Sequence, residues 1–288
     1  MRAELECLPC LVRQAKEAAT MSTADGELRL RIMRRCLAWM SSAELDVSPP
    51  EIAAGIARIV IGCSGMEDPY REPKRLHTEM ALRLLPEMDR MLTESSDPFL
   101  TGLRLAIAGN IIDLGARSQV DDGAIGETLR ESMELPILGE DPEDLRREIM
   151  EAERVLYLAD NAGETVFDRK FIEQMPKGRV TVAVRGGPAI NDATLEDARA
   201  AGLQRVADLI SNGSPAPATV LADCSPSFRR AFEEADVVVS KGQGNFESLS
   251  GVERDVHFLF RVKCPLVAGH TGHPEGSLVL LRSRQRGC

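Results

Sequence analysis

From residue 155 onward, short apolar runs alternate with stretches of helical periodicity. They follow one another at 156–158, 167–175, 180–184, 195–201, 206–210, 225–234, 237–240 and 264–268. Runs of this length, apolar throughout and rich in β-branched residues, read as strands covered on both faces. A strand that reaches the next through a helix must pair with it in parallel, so the alternation predicts βαβ units and a parallel sheet flanked by helices.

The first third carries a different pattern. Residues 11–21, 27–41 and 50–61 place apolar side chains at helical spacing. Asp25 and Ser48 stand at N-cap positions, and Pro49-Pro50 suits a helix start. Residues 70–93 continue as helix, with Pro86 kinking or interrupting it. There Leu76, Met80, Leu84 and Met88 step by four and form a stripe that belongs in a core. Trp39 reads as a core anchor. Residues 99–112 form a further apolar helix, residues 119–144 read as a polar connection, and Asp141-Pro142-Glu143-Asp144 opens another helix. The expected organisation is a helical part over 1–150 and a doubly wound α/β part over 151–288.

Composition removes several classes of function. A net charge of −10 without any Lys/Arg run argues against a general nucleic-acid binder, and an aromatic content of 4% argues against a base-stacking platform. No apolar stretch approaches the roughly 20 residues that span a bilayer. The charged start MRAELECLPCLVRQ lacks the apolar core of a secretory signal. Seven irregularly spaced cysteines do not form a disulfide framework. Together these features place the chain in a reducing cytoplasm, without nucleic-acid or membrane partners. They leave the oligomeric state open.

The chemistry concentrates where apolar runs end. In RVLYLADNAGETVFD (154–168) the strand breaks into Asp160-Asn161-Ala162-Gly163-Glu164. Open α/β sheets keep ligands at such carboxyl ends. Asp160 and Asn161 offer hard oxygen donors, which suit a divalent cation, although an Asp or Asn there also serves as an N-cap. After 180–184 comes Arg185-Gly186-Gly187-Pro188-Ala189-Ile190-Asn191-Asp192-Ala193-Thr194, so Asp192 emerges at the same edge. After 237–240 comes Lys241-Gly242-Gln243-Gly244-Asn245-Phe246-Glu247, a lysine beside glycines whose N–H groups can face an anion. Ser211-Asn212-Gly213-Ser214 is a fourth strand-terminal loop. Two Asp, an Asn, Gly-rich backbone and a Lys describe a site for a metal and a phosphate.

These segments, with Asp68-Pro69-Tyr70, Lys74 and the Gly109-Asn110 to Asp113 stretch, resemble the damage-control phosphatase family, metal-dependent phosphatases long catalogued as a domain of unknown function. Cys7-Leu8-Pro9-Cys10 resembles its prokaryotic branch with an N-terminal Cys pair. The resemblance implies a Rossmann-like three-layer α/β/α domain with a mostly parallel sheet, joined to a helical N-terminal domain. It implies a divalent metal ion (Mn, Co, Ni or Mg) on Asp160, Asn161 and Asp192. Asp160, Asp192 and Lys241 would be catalytic. Lys241, Gly242, Asn245 and Glu164 would meet the substrate phosphate, with Asn110 and Asp113 lining the site from the helical side. The substrate would be a phosphorylated small molecule, a sugar phosphate or a phosphopantetheine-like compound, and the enzyme a hydrolase.

Two other readings stand beside it. One is an S-adenosylmethionine-dependent carboxyl methyltransferase, with the Asp160 to Glu164 loop on the cofactor. The other is a non-enzymatic module in which Cys7 and Cys10 nucleate a zinc or partner site. The Cys pair by itself fits half a zinc site, a redox pair or plain helix packing. His77 and His257 read as structural or exposed, and His270 and His273, after the last strand, either reach the site from a fifth strand end or belong to a mobile Gly-rich loop.

Overall fold

The computed structural model describes residues 1–109 and 122–283. The chain opens with α1 (Cys7–Ser22), α2 (Gly26–Met40) and α3 (Pro49–Ser64). Asp25 accepts a hydrogen bond from the Glu27 N–H at the start of α2. Ahead of α3, the Glu51 carboxylate accepts from both the N–H and the hydroxyl of Ser48, at 2.8 and 2.6 Å. The three helices share a core of Leu11, Ile32, Cys36, Ile52 and Ile56. Trp39 lies against Gly55, where an added Cβ would come within 2.2 Å of the indole.

Next come α4 (Arg71–Arg83) and α5 (Leu85–Glu94), so the helix expected over 70–93 is interrupted just ahead of Pro86. The break splits the Met/Leu stripe. Leu84 and Met88 are buried, but Leu76 is 47% exposed, because α4 turns Lys74, Thr78 and Ala81 inward instead. Then follow α6 (Pro98–Ala108) and α7 (Asp122–Glu134). The region read as a polar connection thus contains a helix, held by buried Leu129 with Met133 against α5 and α6. It also contains β1 (Ile137–Gly139), three residues too short for any periodicity to show.

The remaining elements are α8 (Pro142–Glu151), β2 (Val155–Leu158), α9 (Thr165–Ile172), β3 (Val180–Val184), α10 (Leu195–Ala200), β4 (Asp208–Ser211), α11 (Pro226–Glu234), β5 (Val237–Lys241), α12 (Gln243–Leu249), β6 (His257–Arg261), α13 (Pro265–Thr271) and β7 (Leu278–Arg282). The strands form one sheet in the order β1-β7-β6-β5-β2-β3-β4, parallel at every pairing except the antiparallel β6 and β7. The fold is α/β with a mostly parallel sheet.

Side chains alternate across the sheet as strand geometry requires. Val155, Tyr157, Val180, Val182, Val237 and Val239 pack under α6, α8 and α9. Leu156, Leu158, Val238, Phe258 and Phe260 pack under α11, α12 and α13. All four residues of β2 are buried, as a central strand covered on both faces must be.

Three local readings are corrected. The strand expected at 206–210 runs over Asp208–Ser211, after a 3₁₀ turn at Leu203–Arg205. The segment 264–268 is helical, with Pro265 at the first helical position and Gly272 in the left-handed region at its end. His270 consequently lies on α13 rather than in a loop after a strand. The sheet is completed instead by β6 and β7.

Candidate active site

The chain runs β2, β3, β4 toward one edge, then returns so that β5 pairs with β2 on its other side. The crevice outside the carboxyl ends of β2 and β5 is therefore the topological switch point where such sheets bind ligands. Asp160 follows β2, Lys241 ends β5, and Arg185 follows β3.

The loops after β2 and β3 are zipped together. Asn161 and Asp192 form an antiparallel bridge, with Ala193 N–H donating to the Asp160 carbonyl at 2.7 Å and Ala162 N–H to the Asn191 carbonyl at 2.9 Å. Asp192, distant in sequence, thus joins the neighbours Asp160 and Asn161 at one edge. All three are nearly buried, at 7%, 6% and 2% exposure. Asn110 and Asp113 lie outside the described residues.

Asp192 is firmly held. Its Oδ2 accepts from Arg185 Nε at 2.6 Å and from the Ala218 N–H at 2.9 Å. Ala218 sits at φ 59 and Ile190, two residues before Asp192, at φ 43. Ala218 donates to that carboxylate and Ile190 lies in the loop that leads to it, and such left-handed non-glycine residues cluster where a fold holds groups for function.

Asp160 is closely hemmed in by its surroundings. Gly242 (φ +84) passes so close that an added Cβ would lie 2.0 Å from Asp160 Oδ2. Among the described residues the cations acting on this carboxylate include Lys263, Lys241 and Arg185, whose Nη2 is 3.8 Å from Oδ1. Burial, followed by the neighbouring Asp192 and Glu164 carboxylates, pushes the Asp160 carboxyl well above its ordinary range.

Lys241 does not stand bare in the crevice. Its ammonium is 2.6 Å from Asp168 Oδ1 and 3.3 Å from Glu164 Oε2. Burial pulls its pKa down, but Asp168, Glu164 and Asp160 outweigh that and hold it above the ordinary lysine value. The other oxygen of Glu164 accepts from the Asn161 amide at 2.8 Å, fixing the amide's orientation. Burial raises the Asp168 carboxyl to about 6, against the opposing pull of Lys241.

Two expected phosphate donors are otherwise engaged. The Gly242 N–H donates to the Leu259 carbonyl at 3.0 Å, because β5 and β6 are still paired there, so this glycine serves close approach instead. Asn245 donates to the carbonyls of Lys241 and Ala159 at 2.7 and 3.3 Å, and its oxygen accepts from Arg185 at 3.3 Å. It ties the ends of β2 and β5 together.

Arg185, Asp168, Tyr157 and Thr219 were not singled out from sequence. Arg185 is 2% exposed and reaches Asp192, Thr219 and Asn245. The signal was available, since a charged residue directly after a buried strand must find partners or be expelled. Among the described residues no group of three or more His, Cys, Asp or Glu is arranged to hold a metal ion. The convergent set is two carboxylates and an amide. Cys7 and Cys10 lie in the first turn of α1, and the described cysteines are free thiols. No described helix is long and apolar enough to cross a membrane.

Comparison with known proteins places this geometry in context. The family model for the damage-control phosphatase ARMT1-like domain matches residues 3–279. A damage-control phosphatase of Pyrococcus horikoshii is 33% identical over 99% of both chains. Another from Archaeoglobus fulgidus is 34% identical over 95% of this chain and 96% of the relative. The crystal structure of a DUF89 family protein from P. horikoshii superposes with a TM-score of 0.91 at 32% identity, covering 99% of this chain and all of the other.

Proposed function

As the chain belongs to the ARMT1-like damage-control phosphatase family, we propose that it is a metal-dependent phosphomonoesterase of small phosphorylated metabolites, sugar phosphates or phosphopantetheine-like compounds. The observation that carries this reading is the convergence of Asp160, Asn161 and Asp192 at the β2/β5 switch point beside Lys241.

These residues fit a hard divalent ion such as Mn, Co, Ni or Mg. Two carboxylates and an amide supply oxygen donors, and the Asp160 carboxyl is buried beside the Asp192 carboxylate, a like-charged arrangement that a cation would relieve. A bound ion would polarise a phosphoryl oxygen and acidify a water. Arg185 and the Ala218 N–H fix the orientation of Asp192. Lys241 offsets charge on the phosphoryl group. A nearby carboxylate, Asp192 itself or Glu164, would orient the attacking water.

The test is Asp160→Ala with p-nitrophenyl phosphate and a panel of phosphorylated metabolites under each of the four metals. Metal-stimulated turnover should fall at least ~10³-fold while circular dichroism stays that of the wild type. Full turnover by a clean preparation of the variant would overturn the assignment.

A further inference from the structure

The segment 154–168 ends on Asp168, a residue to which the proposed chemistry gives no part. Glu164 and Asp168 lie one turn apart at the start of α9, and both face the Lys241 ammonium at the end of β5. Asp168 Oδ1 takes two short hydrogen bonds, from Lys241 Nζ at 2.6 Å and from the Tyr157 hydroxyl at 2.7 Å. Asp168 and Tyr157 are both 0% exposed, and Lys241 is 1% exposed. Tyr157 comes from the middle of β2, its ring edge-on to Phe171 with centroids 6.5 Å apart. The hydroxyl therefore reaches Asp168 from a rigid part of the sheet.

We propose that Asp168, clamped by the Tyr157 hydroxyl, is the positioning residue for Lys241, fixing the lysine's flexible stem so that a charged ammonium meets the substrate phosphate. The part played by phosphate rests on the phosphatase reading; the positioning itself does not. A lysine has a mobile four-carbon stem, and a buried amine without an anion gives up its proton. Either loss would remove the positive charge from the crevice. Glu164 cannot serve alone, because it is shared with the Asn161 amide. Asp168 bonds to Lys241 and Tyr157. Among the described residues the charged groups facing the ammonium are Asp168 of α9, Glu164 just ahead of that helix and, after β2, Asp160.

The competing view is an ion pair that merely fastens α9 to β5. A double-mutant cycle separates the two. Asp168→Asn, Lys241→Met and the double variant are prepared in the full chain and assayed with p-nitrophenyl phosphate and Mn²⁺. Each single change should lower kcat/KM about 10²-fold, and the double variant should be no slower than Lys241→Met, because Asp168 acts only through that lysine. Losses that multiply overturn the proposal. Should Asp168→Asn fail to fold, Tyr157→Phe keeps both charges and takes its place in the cycle, with an expected loss of roughly tenfold that likewise disappears in the Lys241→Met background. A loss that persists there overturns it equally.

If the wild type turns over no phosphomonoester with any of the four metals, the phosphatase reading fails and the positioning is read directly. In lysine-selective ¹⁵N-labelled protein the Lys241 ammonium, assigned by its loss in Lys241→Met, should give a slowly exchanging resonance. That resonance should vanish or move in Asp168→Asn. A resonance unchanged in that variant, or absent from the wild type, overturns the positioning claim.

Discussion

Gly242 shows how much one hydrogen atom decides. At φ +84 it occupies backbone space that other residues enter only under strain, and its missing Cβ is what admits the Asp160 carboxylate. Gly242→Ala should therefore displace Asp160, lowering metal-stimulated kcat/KM at least ~10²-fold and costing about 1–3 kcal/mol of stability. Assays beside urea unfolding check both effects. Asp168 makes a second residue-scale prediction. Its folded carboxyl titrates near 6 against an ordinary 3.8, so the folded state holds that proton more tightly. This group favours folding below pH 3.8, and its contribution is lost as pH rises toward 6. The stability of the wild type relative to Asp168→Asn should thus decline between pH 4 and 7, by at most about 3 kcal/mol. A difference that stays flat or grows would contradict it.

At the scale of elements, the helical layer is fastened to the site-bearing sheet by a buried cation. Lys74 of α4 lies 2.9 Å from Asp68 Oδ2 and 3.0 Å from Asp197 Oδ2. The same Asp197 oxygen accepts from the Thr194 N–H and hydroxyl and so closes the start of α10, two residues beyond Asp192. Lys74→Ala would leave two largely buried carboxylates without their cation. It should cost roughly 2–4 kcal/mol, measured by denaturant unfolding, with a smaller loss of activity because no catalytic group is removed. Much of this level was legible in the chain. Asp25, Ser48 and Pro86 punctuate the helices where their side chains and ring geometry require. The edge strand β1 was not, because three residues carry no period and owe their conformation to pairing with β7. Segment 264–268 was misread because an apolar run that short fits a strand as well as a helix.

For the whole molecule, a cation held as proposed by the buried neighbours Asp160 and Asp192 would couple the stability of the fold to its binding. A cation that binds only the folded chain stabilises it by mass action, about 2.7 kcal/mol at a hundred times Kd. Adding Mn²⁺ should raise the thermal midpoint and chelator should reverse the rise. Asp160→Ala should show no response to either, as calorimetric scans would reveal. A midpoint indifferent to metal in the wild type would speak against the site.

Sequence alone determined the alternation that makes the sheet parallel, and with it the edge at which Asp160, Asp192 and Lys241 emerge, because strand direction follows from crossover connections. It also carried the likeness to the phosphatase family. Only the folded chain decided which groups meet there. The burial of Arg185 against Asp192, the withdrawal of Asn245 and the Gly242 N–H into the scaffold, and the pairing of Lys241 with Asp168 depend on distances between strands. Desolvation is a property of surroundings, and no local stretch of sequence contains its own surroundings.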